Sequence, residues 1–302
     1  MRLPGHIGWL PEATVWPDGM ATTREVTMTY RSILTYIDTQ TPPETCLDAA
    51  IAIARQMDAH LSVLAFGYEP HAGVYAYGDP GVSVSAQLFA EARENADRNA
   101  EVARTALQQG GVLGDAVPTL CMVGTMARTF GEHTQYADLV VVPTVYGENS
   151  ASSAQDAFEG ALFDGDAAVL VCPDGTDGVD SQTIMIAWNG SREALRAVRR
   201  AMPFLKQAKA VEIVLVNTMT DQPDPGERLA LMLSRHGISV DIHALPRSPE
   251  TVSETLLRRA VELNAGLIVM GGYGHSRFRE YLVGGVTRSL VAKTPVPILM
   301  AH

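Results

Sequence analysis

Residues 265–271 read AGLIVMG, and a similar run, ADLVVVP, occupies residues 137–143. Each is a short apolar run, as expected of a strand buried on both faces of a parallel sheet. Two more pairs recur in the same order: YRSILTYIDT (30–39) with QTIMIAWNGS (182–191), and AVLVCP (168–173) with PILMAH (297–302). A chain that repeats its strands in one order predicts two similar domains in tandem.

Helical patterns separate the apolar runs in both halves, which predicts parallel strands covered by helices on both faces of the sheet. The predicted strands are 32–37, 61–66, 117–122, 138–142 and 168–172, then 183–188, 211–216, 239–244, 267–271 and 296–301. Helices are predicted at 191–208 and 249–264, and a long helical stretch at 84–108 belongs to about twenty extra residues in the first half. Right-handed crossovers make each half a doubly wound, Rossmann-like α/β domain with strand order 3-2-1-4-5.

The domain boundaries follow from the repeat and from composition. Residues 1–27 are predicted to be a flexible extension, or sequence upstream of a start at Met28, since Pro, Gly and acids stand where an export signal has its apolar segment. Residues 28–173 form the first predicted domain and residues 181–302 the second. The linker, 174–180, is rich in turn-forming and acidic residues.

Net charge and cysteine usage narrow the class of protein. The 302 residues carry a formal charge of -11, which argues against wrapping nucleic acid or lying on an anionic membrane. The charge is uneven: residues 1–180 sum to -16 and residues 181–302 to +5. Three cysteines without a CxxC motif indicate a reducing compartment, and we predict a cytoplasmic protein. No apolar run reaches the length of about 18 residues that a membrane span needs.

The segment GGYGHSRFREYLVGGVTRSL, residues 271–290, carries the chemistry. Gly271 and Gly274 follow a strand, where a backbone without side chains lets a ligand approach. Gly284 and Gly285 open the next helix, and the unpaired amides of a helix start bind anions such as phosphate. Thr287 adds a hydroxyl group. Arginines 277, 279 and 288 raise the local positive potential.

The spacing Gly271-x2-Gly274-x9-Gly284 resembles the ATP-binding branch of the universal stress protein family. The resemblance covers residues 181–302 well and residues 29–173 more loosely. It implies adenine and ribose near the first and second strands, and phosphates on the glycine segment. The implied binding residues are Ala187, Trp188, Asn189, Val216, Met270, Gly271, Gly272, Gly274, Gly284, Gly285, Val286 and Thr287. The implied ligand is ATP or another adenine nucleotide. Whether Mg²⁺ accompanies it remains open.

The resemblance also implies an internal pseudo-dimer, in which the fifth strands, 168–172 and 296–301, pair with each other.

Two residues depart from the family pattern. Gly285 stands where a hydroxyl residue is expected, and Asn189 stands where an acid follows the first strand. Both changes predict weaker or altered nucleotide binding.

The first half lacks the glycine pattern. Pro143 stands where Gly271 would lie, no glycine pair opens the next helix, and the segment 144–166 is acidic. We therefore predict that this half does not bind ATP by the same route. Asp38 keeps the acid after the first strand, and we expect it to stabilise a loop.

No GxSxG, Walker lysine or HExxH motif is present, so the sequence offers binding groups without an evident base or nucleophile. The function predicted is a stress-response protein that binds an adenine nucleotide and acts by sensing or by partner interaction. Two alternatives remain open: a nucleotide-free dimeric interaction scaffold and a slow ATP hydrolase. Formation of a homodimer also remains open.

Overall fold

A computed structural model describes residues 29–41, 43–69, 81–147, 150–165, 167–216, 226–246, 249–273 and 285–302. The strands are β1 Ser32–Ile37, β2 His60–Glu69, β3 Gly114–Met122, β4 Leu139–Pro143, β5 Ala168–Cys172, β6 Thr183–Ala187, β7 Ala210–Val216, β8 Asp241–Leu245, β9 Leu267–Gly271 and β10 Ile298–Ala301. The helices are α1 Pro43–Met57, α2 Gly81–Gly110, α3 Met126–Thr134, α4 Ser152–Asp164, α5 Arg192–Arg200, α6 Met202–Leu205, α7 Glu227–Ser234, α8 Val252–Glu262 and α9 Gly285–Lys293. The predicted extension, residues 1–27, lies outside the described residues.

The strands form one sheet in the order β3-β2-β1-β4-β5-β10-β9-β6-β7-β8. Each half therefore has the predicted order 3-2-1-4-5, with parallel pairing throughout. The two fifth strands pair antiparallel, with Val171 opposite Ile298 and Val169 opposite Met300. The pairing implied by the resemblance is thus present, and neither fifth strand is left as an open edge.

Two hydrophobic layers sandwich the sheet. One layer packs α1, α2, α5, α6 and α7 against one face of both halves. The other packs α3, α4, α8 and α9 against the opposite face. Strand residues alternate between the layers because neighbouring side chains point to opposite faces: Leu267 and Val269 join the first layer, and Ile268 and Met270 the second.

The connections differ between the halves. Helix α2 has 30 residues, whereas α7, which follows the corresponding strand β7, has 8. This difference accounts for the extra segment predicted around 84–108.

The single helix predicted at 191–208 is wrong, because α5 ends at Arg200 and a separate turn, α6, begins at Met202. Pro203 is the reason: it has no N–H to donate to the preceding turn, and it is tolerated at the start of a helix. The edge strands also shift, since β3 begins at Gly114 and β8 at Asp241.

Candidate functional site

The carboxyl ends of β6, β7 and β9 lie side by side, since Ala187 pairs with Val214 on one side and with Met270 on the other. The side chains of Ala187 and Met270 belong to the second hydrophobic layer, and Val216 packs against it. Helix α9 covers the same face through Leu290 and Val291. Three predicted binding residues and the helix that carries three more therefore share one face of the sheet.

The start of α9 leaves room at Gly285, as far as the described residues go. Among them, no heavy atom lies within 4 Å of a Cβ built on Gly285. Val286 is 38% exposed, whereas Thr287 is buried, at 7%. Because the first N–H groups of a helix have no partner within the helix, this open turn can receive an anion. Gly274 and Gly284, the other two motif glycines, lie outside the described residues.

Trp188 faces the other side of the sheet, and Asn189 lies in the loop that follows β6 at the carboxyl edge. The Trp188 side chain packs against the first hydrophobic layer, on the opposite face from Ala187. Asn189 is exposed, and its Oδ1 accepts a hydrogen bond from the Ser191 amide at 3.0 Å. Ser191 in turn caps α5, accepting from the Ala194 amide at 3.1 Å. Asn189 therefore organises the loop that starts α5.

Close packing explains why residues 271 and 272 are both glycine. A Cβ on Gly271 would lie 2.4 Å from the Ala194 nitrogen, so glycine lets the first turn of α5 approach β9. A Cβ on Gly272 would lie 3.1 Å from a methyl group of Leu162 on α4 of the first half. The prediction that the missing side chain at Gly271 admits a ligand is corrected here, because helix α5 fills that direction.

The first half fills the corresponding place with aromatic rings. Tyr36 pairs with Leu64 as Ala187 pairs with Val214, so two residues further along Phe66 corresponds to Val216. Tyr36 and Phe66 are 1% and 0% exposed. The Tyr36 ring meets Phe130 edge-on, with the ring centroids 5.6 Å apart. Where the second half carries small side chains, the first half is therefore closed by packed aromatic residues.

The Asp38 carboxylate makes its hydrogen bonds within the first half. The carboxylate is 3% exposed. Its Oδ1 accepts from the amides of Gln40 at 3.0 Å and Thr41 at 2.7 Å, and its Oδ2 accepts from the Tyr68 hydroxyl at 2.5 Å. Burial, and then the charge of Asp38, raise the pKa of Tyr68 well above its usual range, so the phenol stays a donor. The expectation that Asp38 stabilises a loop is confirmed.

Sequence reasoning missed the side-chain contacts between the halves, among them a contact between two tyrosines. Tyr273, two residues after β9, is 7% exposed and donates a hydrogen bond to the Tyr146 hydroxyl of the first half, at 3.3 Å between the oxygens. No sequence pattern pairs these two tyrosines. The contact arises because β5 and β10 bring the loops after β4 and β9 together.

These features define the class of the protein: two doubly wound α/β units joined through their fifth strands. Aromatic rings fill the carboxyl edge of one unit where the other has smaller side chains. Residues 233–302 match the sequence model of the universal stress protein family. The prediction of this family from the glycine spacing is confirmed for the C-terminal region. The fold over most of the chain is also that of universal stress proteins.

Solved structures with this fold include a universal stress protein from Archaeoglobus fulgidus DSM 4304, with a TM-score of 0.62 and 15% identity; the match covers 89% of this chain and 95% of that one. A putative universal stress protein from Pseudomonas aeruginosa UCBPP-PA14 matches with a TM-score of 0.50 and 15% identity. This match covers 89% of this chain and 92% of that one. A universal stress protein solved in complex with cAMP is 25% identical over 40% of this chain and 96% of its own length, with a TM-score of 0.31. The search of curated proteins gave no match.

Within the described parts of the chain, no helix has the length and apolarity to cross a membrane. In the same residues, no three side chains of the His, Cys, Asp or Glu type are grouped as metal ligands would be.

Proposed function

We propose that the C-terminal half binds one adenine nucleotide, ATP, ADP or AMP, on the α9 face of its carboxyl edge, and that the N-terminal half binds none. The protein acts in the cytoplasm in a stress response, by sensing the nucleotide or by contacting partners. The observation that carries the proposal is the contrast in side-chain size at equivalent positions. Ala187 and Val216 are small side chains on the face that α9 covers, whereas the larger rings of Tyr36 and Phe66 fill the equivalent positions of the first half.

The phosphates would lie at the start of α9. Hydrogen bonds from backbone N–H groups to a charged phosphate contribute about 1.5–3 kcal/mol each, and the helix dipole adds about 0.3–1 kcal/mol. The amides therefore dominate, and they need only an open first turn, which Gly285 provides. The second half also has a net positive charge, +5 for residues 181–302 against -16 for residues 1–180.

The adenine ring would pack against Ala187, Val216 and Met270. These apolar side chains share a face with α9, so a base and its phosphates can lie on one side of the sheet. An apolar slot next to a few polar groups is the usual construction of a small-molecule site. Gly285 and Asn189, which lack the hydroxyl and the carboxylate of the family pattern, make binding weaker rather than absent.

A Mg²⁺ ion would fit as a companion of the phosphates. This cation keeps several waters and is usually held by substrate phosphates with one or two carboxylates, so it needs no cage of protein ligands. Its chemistry when bound would be to neutralise phosphate charge.

Equilibrium dialysis of the purified chain with ATP, with and without Mg²⁺, tests the proposal. The variants are Gly285→Asp, which places a carboxylate in the first turn of α9, and Val261→Asp, which adds the same charge to the same half at a residue that is 62% exposed on α8. An acid in the first turn favours the helix, so Gly285→Asp should fold. We expect Gly285→Asp to lose ATP and Val261→Asp to retain it.

Two results would overturn the proposal. Undetectable binding of millimolar ATP to the unmodified chain would favour the nucleotide-free scaffold. Equal binding by the unmodified chain and Gly285→Asp would place the ligand elsewhere. Release of inorganic phosphate above the buffer blank, abolished by Gly285→Asp, would extend the proposal to a slow hydrolase.

A further inference from the structure

A small cavity of about 120 Å³ lies where the two halves meet. Gly165 and Ala167, on either side of the turn from α4 to β5, line it from the first half, and three arginines of α5 together with His302 line it from the second. The strand register explains this meeting. Since β5 and β10 pair antiparallel with Val169 opposite Met300, Ala167 comes beside His302 two residues further on. The cavity, called the seam cavity below, therefore exists only because the halves pair.

The seam cavity is basic. Arg196, Arg199 and Arg200 are spaced three and four residues apart, so their side chains lie on the same side of α5. Among the described residues that line the cavity, no side chain is acidic. Guanidinium groups stay charged at any physiological pH, and like charges at this helical spacing destabilise the helix. An anion in the cavity would relieve that repulsion.

Stabilisation of the helix end explains only part of this cluster. Arg199 and Arg200 stand in the last turn of α5, where the helix dipole favours a cation. Arg196 lies one turn earlier, beyond the part of the helix where the dipole acts strongly. What the three arginines share is the seam cavity that they line.

Several contacts hold the lining groups in place. Nη1 of Arg196 donates to the main-chain oxygen of His302 at 2.8 Å. Nδ1 of His302 lies 3.1 Å from the carbonyl oxygen of Gly272, which can only accept, so Nδ1 carries the proton. The imidazole ring also meets the Phe163 ring of the first half edge-on, with the centroids 5.1 Å apart. Groups that are ordered in advance lose less freedom when a ligand binds.

The size and chemistry of the seam cavity select its ligand. Sites for nucleotide-sized molecules occupy about 300–1,000 Å³, so a volume of about 120 Å³ excludes a whole nucleotide. Guanidinium groups bind phosphate oxygens through paired N–H donors. We propose that the seam cavity binds a small oxyanion of the phosphate class, either free phosphate or the phosphate group of a monoester, and that the anion strengthens the pairing of the two halves.

This site is separate from the proposed nucleotide site. Helix α5 packs on one face of the sheet and α9 on the opposite face. The proposal therefore does not depend on nucleotide binding.

Equilibrium dialysis against radiolabelled inorganic phosphate, in a zwitterionic buffer at constant ionic strength, tests the proposal. The variants are Arg199→Gln and Arg196→Gln, each of which removes one guanidinium group from the seam cavity. The matched control is Arg192→Gln, because Arg192 is an exposed arginine in the first turn of the same helix and lies outside the cavity lining. Arg199 is exposed, so Arg199→Gln should fold even if Arg196→Gln, which loses the bond to His302, does not.

We expect the phosphate dissociation constant to rise about tenfold or more for Arg199→Gln and Arg196→Gln, as expected for the loss of charge-assisted hydrogen bonds. The control should stay within about twofold of the unmodified chain. Phosphate should also raise the thermal unfolding midpoint of the unmodified chain and leave that of Arg199→Gln unchanged. Displacement by glycerol 3-phosphate would identify a monoester as the source, and failure to displace would identify free phosphate.

Gly285→Asp separates this proposal from the proposed function. It should lose ATP and keep phosphate in the seam cavity, whereas Arg199→Gln should keep ATP. Phosphate binding that disappears in Gly285→Asp and survives in Arg199→Gln would overturn the inference, because the anion would then lie at the start of α9. Undetectable binding of millimolar phosphate, or equal losses in Arg199→Gln and Arg192→Gln, would also overturn it and leave the proposed function standing.

Discussion

The two halves of the molecule have the same strand order and differ in what lies at the carboxyl edge of the sheet. In the first half, Tyr36 and Phe66 fill the edge, and Asp38 accepts hydrogen bonds from its own loop and from Tyr68 on β2. In the second half, the equivalent positions carry the smaller side chains of Ala187 and Val216, on the face that α9 covers. The same fold therefore carries different side-chain volumes at equivalent strand ends, and the proposed function links this difference to nucleotide binding in one half.

Two further features of the halves, their net charges and the contacts of Tyr146, differ in the same sense. The first half carries a net -16 and the second +5, so an anionic ligand is repelled from one and attracted to the other. Tyr146 of the closed half contacts the open half.

The largest expected effect is on the stability of the closed half. Phe66→Ala removes a fully buried ring and should lower the free energy of unfolding by about 3–5 kcal/mol. Val216→Ala, at the equivalent half-buried position, should lower it by about 1 kcal/mol or less. Urea unfolding followed by circular dichroism measures both, and equal losses for the two variants would contradict the contrast between a filled and an open edge.

Filling the open edge should abolish nucleotide binding. Val216→Phe copies the residue of the first half, and we expect ATP affinity to fall by about a hundredfold or more, since the ring takes the space of the base. Val261→Phe is the control, because Val261 is 62% exposed on α8. Dialysis measures both, and full ATP binding by Val216→Phe would show that this edge is not the site.

The carboxylate of the first half should matter for stability alone. Asp38→Asn leaves an amide group where three donors converge, and the unmatched donors should cost about 1–3 kcal/mol of unfolding free energy. The ATP dissociation constant should not change. A weaker ATP affinity with unchanged stability would assign Asp38 to a ligand instead.

The smallest effect is expected at Asn189, the exposed residue of the second half that corresponds to Asp38. Asn189→Asp restores a carboxylate, whose charge-assisted bonds to ribose hydroxyls should tighten ATP binding by a few fold. Stability should change by less than about 0.5 kcal/mol, as is usual at exposed positions. Isothermal titration provides the affinity, and weaker binding by Asn189→Asp would place the ribose away from this loop.

The sequence predicted the parts of this fold that are encoded by local pattern. The repeated apolar runs gave the ten strands close to their observed bounds, with β1 at 32–37 and β5 at 168–172, and the glycine spacing led to the family. The break between α5 and α6 follows from Pro203 and could have been anticipated.

The remaining features depend on strand register and on contacts that are distant in sequence. Tyr36 and Phe66 are typical strand residues, and only the pairing of β1 with β2 shows that they occupy the positions of Ala187 and Val216. The packing of Gly271 against α5, and the meeting of Tyr146 with Tyr273, likewise arise from tertiary arrangement.

The stoichiometry of ATP binding tests the central claim most directly. Isothermal titration of the full chain with ATP should give one site per chain, and that site should disappear in Val216→Phe. Two sites per chain, or one site that survives in Val216→Phe, would contradict the account, because the ligand would then occupy the half whose edge is filled.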